Sequence, residues 1–207
     1  MPFEPPSNLR TLANRGARRL FKKGELLIRE GEKGDEIFII MGGRVKVFGK
    51  GEDGREIVYN ECGPGEYVGE MALDERPRSA SVMAIEATQC SVVNRDTLKK
   101  FIAEHPDFAF ELIGKIIERV RLTTRILKNV ALLDVYGRIA VLLNDLAIEQ
   151  DGKRFVPVFL SQQEIADRVG SSREMVGKLL KDLVAGNYIE FDSERRIRLR
   201  VRLPHAH

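Results

Sequence analysis

Apolar positions recur at short, alternating spacing through the first half of the chain, then take up a helical period in the second. Between about Leu20 and Val93, short apolar runs are cut by Gly24, Gly31, Gly34, Gly42–Gly43 and Gly51–Gly54. Turns at that frequency predict many short antiparallel strands closed into a roll, barrel or sandwich. ECGPGEYVGEMAL and ASVMAIEATQCSVVNRD continue the pattern. Helices then take over. Asp96 is placed to cap a short one, and Pro106 suits the first turn of a longer one running from about Asp107 to Leu132.

On that longer helix Ile113, Ile117, Val120, Thr124, Leu127 and Ala131 follow one another by alternating fours and threes. This is the a/d seam of a two-stranded coiled coil. A single helix lying on its own domain is the bland alternative. The helix length, the narrow stripe and the charged flanks Glu118, Arg121, Arg125 and Lys128 favour a dimer seam. Thr124 is the polar break in it, with Thr123 alongside.

Asp134 is placed to cap the next amphipathic helix, YGRIAVLLNDLAIEQ, after which Asp151–Gly152–Lys153 turns into a strand, Phe155–Phe159. LSQQEIADRVGSSREMVGKLLKDL then spells two short helices around a tight turn. Ser161 and Glu164 have the spacing of a capping box, and Gly170 suits the left-handed stop between the helices. Ser171 or Ser172 caps the second helix, whose inner stripe is Val176, Leu179, Leu180 and Leu183. Glu174, Lys178 and Lys181 face the other way, with Arg173 in the first turn. That layout is a helix-turn-helix whose second helix enters the major groove of DNA. Tyr188–Phe191 and Arg196–Val201 flank Asp192–Ser193 as a C-terminal hairpin, which makes the motif winged.

Composition narrows the class. The chain has 207 residues, 43% apolar and 31% charged, as expected of one large or two small globular domains. A formal net charge of +3 leaves any polyanion to be met by local patches. Cys62 and Cys90 lie far apart without metal-ligand spacing, which points to a reducing compartment and no metal cluster. No apolar run reaches membrane-span length, and Met1–Asn8 lacks the features of a signal peptide, so a cytoplasmic protein is expected. His105, His205 and His207 belong to no nucleophile–base or metal-ligand constellation, and the expectation is that the protein is not an enzyme.

One stretch of the β region, GEYVGEMALDERPRSA, offers chemistry for a sugar phosphate. Arg78 brings a permanently charged fork of donors suited to phosphate oxygens, and Ser79 and nearby backbone N–H groups add neutral donors. Glu70 accepts from a ribose hydroxyl, and Gly69 lets the backbone come close. The competing reading is a Glu70–Arg78 ion pair stapling a surface turn.

GEMALDERPRSASV, TTRILKNVALLDVYGRIA and SQQEIADRVGSSREMVGKLLKDL, in that order, resemble bacterial transcription regulators of the catabolite activator (cyclic AMP receptor) family, within the CRP/FNR superfamily. The resemblance covers the whole chain. It implies an α+β architecture. An N-terminal cyclic-nucleotide-binding β-roll of the double-stranded β-helix or jelly-roll type (residues 1–104) comes first, then a long dimerisation helix (105–133) and a C-terminal winged helix-turn-helix (134–207). It implies that Glu70 holds a ribose 2′-hydroxyl, with Gly69 beside it in the ligand site, that Arg78 and Ser79 hold a cyclic phosphate, and that Thr123 and Thr124 reach the adenine from the two subunits. The family pair there is Thr then Ser, so Thr124 is a hydroxyl-for-hydroxyl change. On the DNA side it implies that Arg173 and Glu174 read base edges, with Lys178 where the family carries an arginine. Lysine still donates to guanine but lacks the fork. Gln162, Ser171 and Lys181, with Arg196 and Arg198 of the wing, are candidate phosphate contacts. For Glu174 a purely structural role remains open, as the third residue after Ser171 in a capping box.

The resulting expectation is a homodimeric regulator that needs no cofactor beyond an effector. That effector is a cyclic nucleotide, most simply cyclic AMP, and the partners are double-stranded DNA and RNA polymerase, with no membrane. Alternatives are cyclic GMP, a cyclic dinucleotide or no ligand within the same class, and a cyclic-nucleotide-binding regulatory subunit of an enzyme outside it.

Overall fold

The computed structural model describes residues 7–150 and 152–204. Two compact units are present, Met1–Gly49 with Val58–Leu122, and Lys50–Ile57 with Thr123–His207.

The first unit opens with helix α1 (Ser7–Ala13), followed by strands β1 (Ala17–Phe21), β2 (Leu26–Ile28), β3 (Glu36–Gly42) and β4 (Val45–Lys50). Strands β5 (Glu56–Cys62) and β6 (Tyr67–Val68), a 3-10 turn (Glu70–Asp74), β7 (Ser81–Ala84) and β8 (Thr88–Asn94) complete the β part. Helices α2 (Arg95–Glu104) and α3 (Pro106–Leu132) follow, the part of α3 from Thr123 belonging to the second unit. The strands form two four-stranded sheets, ordered β1-β8-β3-β6 and β2-β7-β4-β5, with every registered pair antiparallel. The apolar run of β3 is covered on both faces. Phe38 and Ile40 join Phe21, Val45, Val82 and Cys90 in one cluster, while Ile37 and Ile39 pack with Leu12, Phe101, Phe108 and Leu112 of the helices. Burial on both sides explains why this strand reads as continuous rather than alternating. Helix α1 was not foreseen from the sequence, and Leu9 and Leu12 of it belong to that second cluster.

The short helix is capped two residues earlier than expected. Asn94, not Asp96, accepts the Thr97 N–H at 2.8 Å, because β8 runs directly into α2. Asp96 falls in the first turn instead, where its charge offsets the positive end of the helix dipole.

The second unit contains α4 (Val135–Leu146), β9 (Ile148–Gln150), β10 (Lys153–Phe155), α5 (Gln162–Val169), α6 (Arg173–Ala185), β11 (Ile189–Phe191) and β12 (Ile197–Leu199). Its sheet is ordered β11-β12-β10-β9. Asp134 caps α4 as expected, accepting the Gly137 N–H at 2.7 Å. Two boundaries differ from expectation. Helix α4 ends at Leu146, and Ile148–Gln150 pairs antiparallel with Lys153–Phe155, so the turn beyond Gln150 joins two strands rather than a helix and a strand. Asp151 of that expected turn lies outside the described residues. The expected strand Phe155–Phe159 stops at Phe155, since Pro157 has no N–H to continue the ladder. Ile139, Leu143, Ile165, Val169, Val176, Leu180, Ile189, Ile197 and Leu199 share one core. Among the described residues, no helix is long and apolar enough to cross a membrane.

Candidate functional site

The sequence-predicted cradle is built where β6 leaves its sheet. Gly69 has φ 89°, and a Cβ there would sit 2.8 Å from the Glu36 carbonyl oxygen and 3.1 Å from Arg78 Nη1, so both backbone shape and space demand glycine. The 3-10 turn from Glu70 follows at once.

Arg78 is 7% exposed and crosses beneath this turn. Nη1 donates to the Gly69 carbonyl and Nη2 to the Glu36 carbonyl, both at 2.8 Å. Gly34 lies against the same guanidinium, where an added Cβ would come within 2.9 Å of Nη2. Burial lowers the Arg78 pKa, and the carboxylates of Glu36, Glu70 and Asp35 oppose that shift. A guanidinium fork has five N–H donors, so two carbonyls leave donor capacity for an anion. Ser79 is exposed beside it, its hydroxyl against the Met71 sulfur.

The suspected Glu70–Arg78 staple is replaced by another pairing. Glu70 is bound by Arg119 of α3, Oε2 to Nη1 at 2.5 Å, with both side chains mostly shielded. Arg119 also donates to the Tyr67 carbonyl and lies over the Tyr67 ring, 5.0 Å from its centre. Burial opposes the Arg119 charge most strongly, but the charge and hydrogen bond of Glu70, with Cys62 and Tyr67, together outweigh it and the guanidinium pKa rises. Arg119 was missed from the sequence. The available signal was its place seven residues after buried Leu112, on the helix face turned toward the β domain. An arginine on such a face needs a buried partner.

Thr123 and Thr124 follow on α3, one turn beyond Arg119, and both are exposed. The expected seam is exposed along its length: Ile113, Ile117, Val120 and Leu127, preceded by Phe110 at 74%.

In the second unit, Ser161 and Glu164 complete the capping box of α5, and Gly170 stops the helix at φ 63°. Ser172, not Ser171, caps α6, accepting the Met175 N–H at 3.2 Å. The third helical residue is therefore Met175, and Glu174 closes no capping box. Arg173, Glu174, Lys178 and Lys181 are all exposed. The last three form one stripe, opposite the buried Val176, Leu180 and Leu183. Gln162 opens α5 beside Gly177, where an added Cβ would lie 3.0 Å from its Oε1, and Ser171 sits half-buried in the turn. In the wing, Arg198 and Arg200 both pair with Glu190, and Arg196 pairs with Asp192 and Glu194. Among the described residues no cluster of metal-ligating side chains occurs.

Residues 18–105 match the cyclic nucleotide-binding domain family, and residues 137–203 match the Crp-like helix-turn-helix domain family. A CRP-like cAMP-activated global transcriptional regulator of Mycobacterium tuberculosis is 34% identical over 179 residues, spanning 84% of this chain and 80% of the relative. The cAMP-activated global transcriptional regulator CRP of Salmonella typhimurium is 34% identical over 168 residues, spanning 79% and 80%. Among solved structures, the c-di-GMP responsive global regulator CLP of Xanthomonas campestris superposes with a TM-score of 0.82 at 25% identity, covering 93% of this chain and 97% of that one.

Proposed function

Because the chain belongs to the CRP family of cyclic-nucleotide-responsive, DNA-binding transcription regulators and is not an enzyme, we propose that it is a homodimer controlled by cyclic AMP. The observation that carries this is the cradle: a buried arginine fork held open by two backbone carbonyls, beside Ser79 and the Glu70 carboxylate. The cyclic phosphate takes the remaining donors of Arg78 and the Ser79 hydroxyl. The ribose hydroxyl donates to Glu70, which Arg119 holds in place. Thr123 and Thr124 meet the base. Cyclic AMP is favoured over a cyclic dinucleotide because two curated relatives at 34% identity are cAMP-activated, while the c-di-GMP-responsive neighbour is 25% identical.

A second copy covers the α3 stripe from Phe110 to Leu127 and brings the two recognition helices about one DNA turn, ~34 Å, apart. A palindromic operator follows from two-fold symmetry. Arg173 and Glu174 contact base edges, Lys178 donates as a point charge, and Gln162, Ser171 and Lys181 contact the backbone. RNA polymerase is the partner through which such binding acts on transcription.

Calorimetric titration with cyclic AMP, cyclic GMP and cyclic di-GMP tests the reading. Wild type binds cyclic AMP most tightly, and Arg78→Leu loses that binding while remaining a folded dimer. Unchanged cyclic AMP binding by the variant overturns the cradle assignment.

A further inference from the structure

A groove of about 390 Å³ lies in the first unit between α1, the β5–β6 turn and the N-terminal half of α3. Its apolar wall is Leu9, Tyr67 and Phe108. None of Gly69, Glu70, Arg78 or Ser79 lines it, so it is separate from the nucleotide cradle. The two share one residue, Arg119, which lines the groove and whose guanidinium holds Glu70.

Gly114 forms part of the groove in the middle of a 27-residue helix, and nothing lies within 4 Å of where its Cβ would be. Glycine there weakens a helix relative to alanine. No packing contact inside the chain requires it, and its effect is to leave the groove open.

The charges on the rim are already engaged. Glu111 accepts from Asn8 at 2.7 Å, Glu66 accepts from the Gly63 N–H at 2.8 Å, and Lys115 pairs with Glu118 at 2.9 Å. A charged ligand would compete with these existing pairs. A neutral, apolar one would break none and would cover the aromatic wall. The volume falls in the range of small-molecule sites.

Most of the groove faces away from the α3 seam, with Gly114, three residues from Ile117, nearer to it. Phe108, Glu111 and Lys115 each lie two residues from Phe110, Ile113 and Ile117, about 200° around the helix. The groove is on the flank turned toward its own β domain.

We propose that this groove is a second binding site, for a neutral apolar small molecule, and that its occupancy is felt at the nucleotide cradle through Arg119. The coupling half rests on the cyclic-nucleotide reading above. The binding half does not.

The test uses the full chain and the neutral fluorescent probe N-phenyl-1-naphthylamine, which reads cleanly because the protein has no tryptophan. Wild type binds the probe saturably. Gly114→Leu, which fills the groove, loses that binding while its thermal midpoint stays at or above wild type. Gly114→Ala serves as a smaller filling if the leucine variant fails to fold. In wild type, saturating probe shifts the cyclic AMP dissociation constant by about fivefold or more, in either direction, and the shift vanishes in the glycine variants. Probe binding that persists in both variants, or that tracks dimer dissociation, overturns the site. Probe binding without a shift in cyclic AMP affinity overturns the coupling. Wild type that binds no cyclic AMP at all defeats the nucleotide reading, and the probe titration still decides the groove.

Discussion

Arg119 shows how one residue joins two parts of the first unit. Its guanidinium holds the Glu70 carboxylate and the Tyr67 backbone together, so the Glu70 end of the cradle is anchored to α3 rather than to its own loop. Arg119→Gln leaves a shielded carboxylate without its counter-charge, which costs more than the pair itself contributes. Because both groups keep some exposure to water, the expected loss is about 1–3 kcal/mol in urea unfolding. Adding Glu70→Gln to Arg119→Gln recovers much of it, and a double variant no more stable than the single one would count against the pairing. The sequence displayed Glu70, Arg78 and Ser79 plainly because they lie within ten residues of each other. Arg119 lies far along the chain, and only the fold reveals what it faces.

The two cysteines make a second residue-scale case. Burial pushes the Cys62 thiol up to about 11 and Cys90 up to about 12, from an ordinary value of 9.0. The folded chain therefore holds protons that the unfolded chain releases above pH 9.0. Their contribution to stability is complete below that pH and is lost as pH rises through about 11 for Cys62 and about 12 for Cys90. The checks are a thiol-titrating reagent, expected to leave both cysteines untouched near neutral pH in the native state, and unfolding midpoints that fall through the alkaline range. Prompt native-state labelling of either thiol near neutral pH would contradict their burial.

At the scale of elements, the ends of the helices decide how legible they were. Local capping chemistry identified α5 completely, since Ser161, Glu164 and Gly170 carry its start and stop within ten residues. At α6 two adjacent serines offered the same side chain, and only backbone geometry chose Ser172. Ser172→Ala should cost about 1 kcal/mol of stability, and Ser171→Ala appreciably less, as read by denaturant unfolding. Equal losses would mean that the cap is shared. The strands β9 and β10 were harder to read because three-residue strands carry too few positions to show a period. They pair with each other across the turn beyond Gln150, and only the second pairing of β10, with β12, is a long-range contact that a local reading of the LAIEQ run cannot see.

At the scale of the molecule, the α3 stripe is an apolar surface that the chain itself leaves uncovered. Phe110, Ile113, Ile117, Val120 and Leu127 stand exposed on one helix, and a monomer gains nothing from them. In the homodimer proposed above, a second copy would bury them against themselves and link two α6 helices. That linkage raises the effective concentration of the second half-site interaction without adding any new group that touches DNA. Val120→Glu places like charges across the seam of such a dimer. It is expected to sediment as a folded monomer and to lose most of its preference for a palindromic site over a single half-site. Every phosphate that the second subunit no longer neutralises also lowers the salt dependence of binding, by close to one unit of log–log slope. A Val120→Glu protein that stays dimeric and keeps its salt slope would place the dimer interface on another surface, and α3 would then need a different occupant.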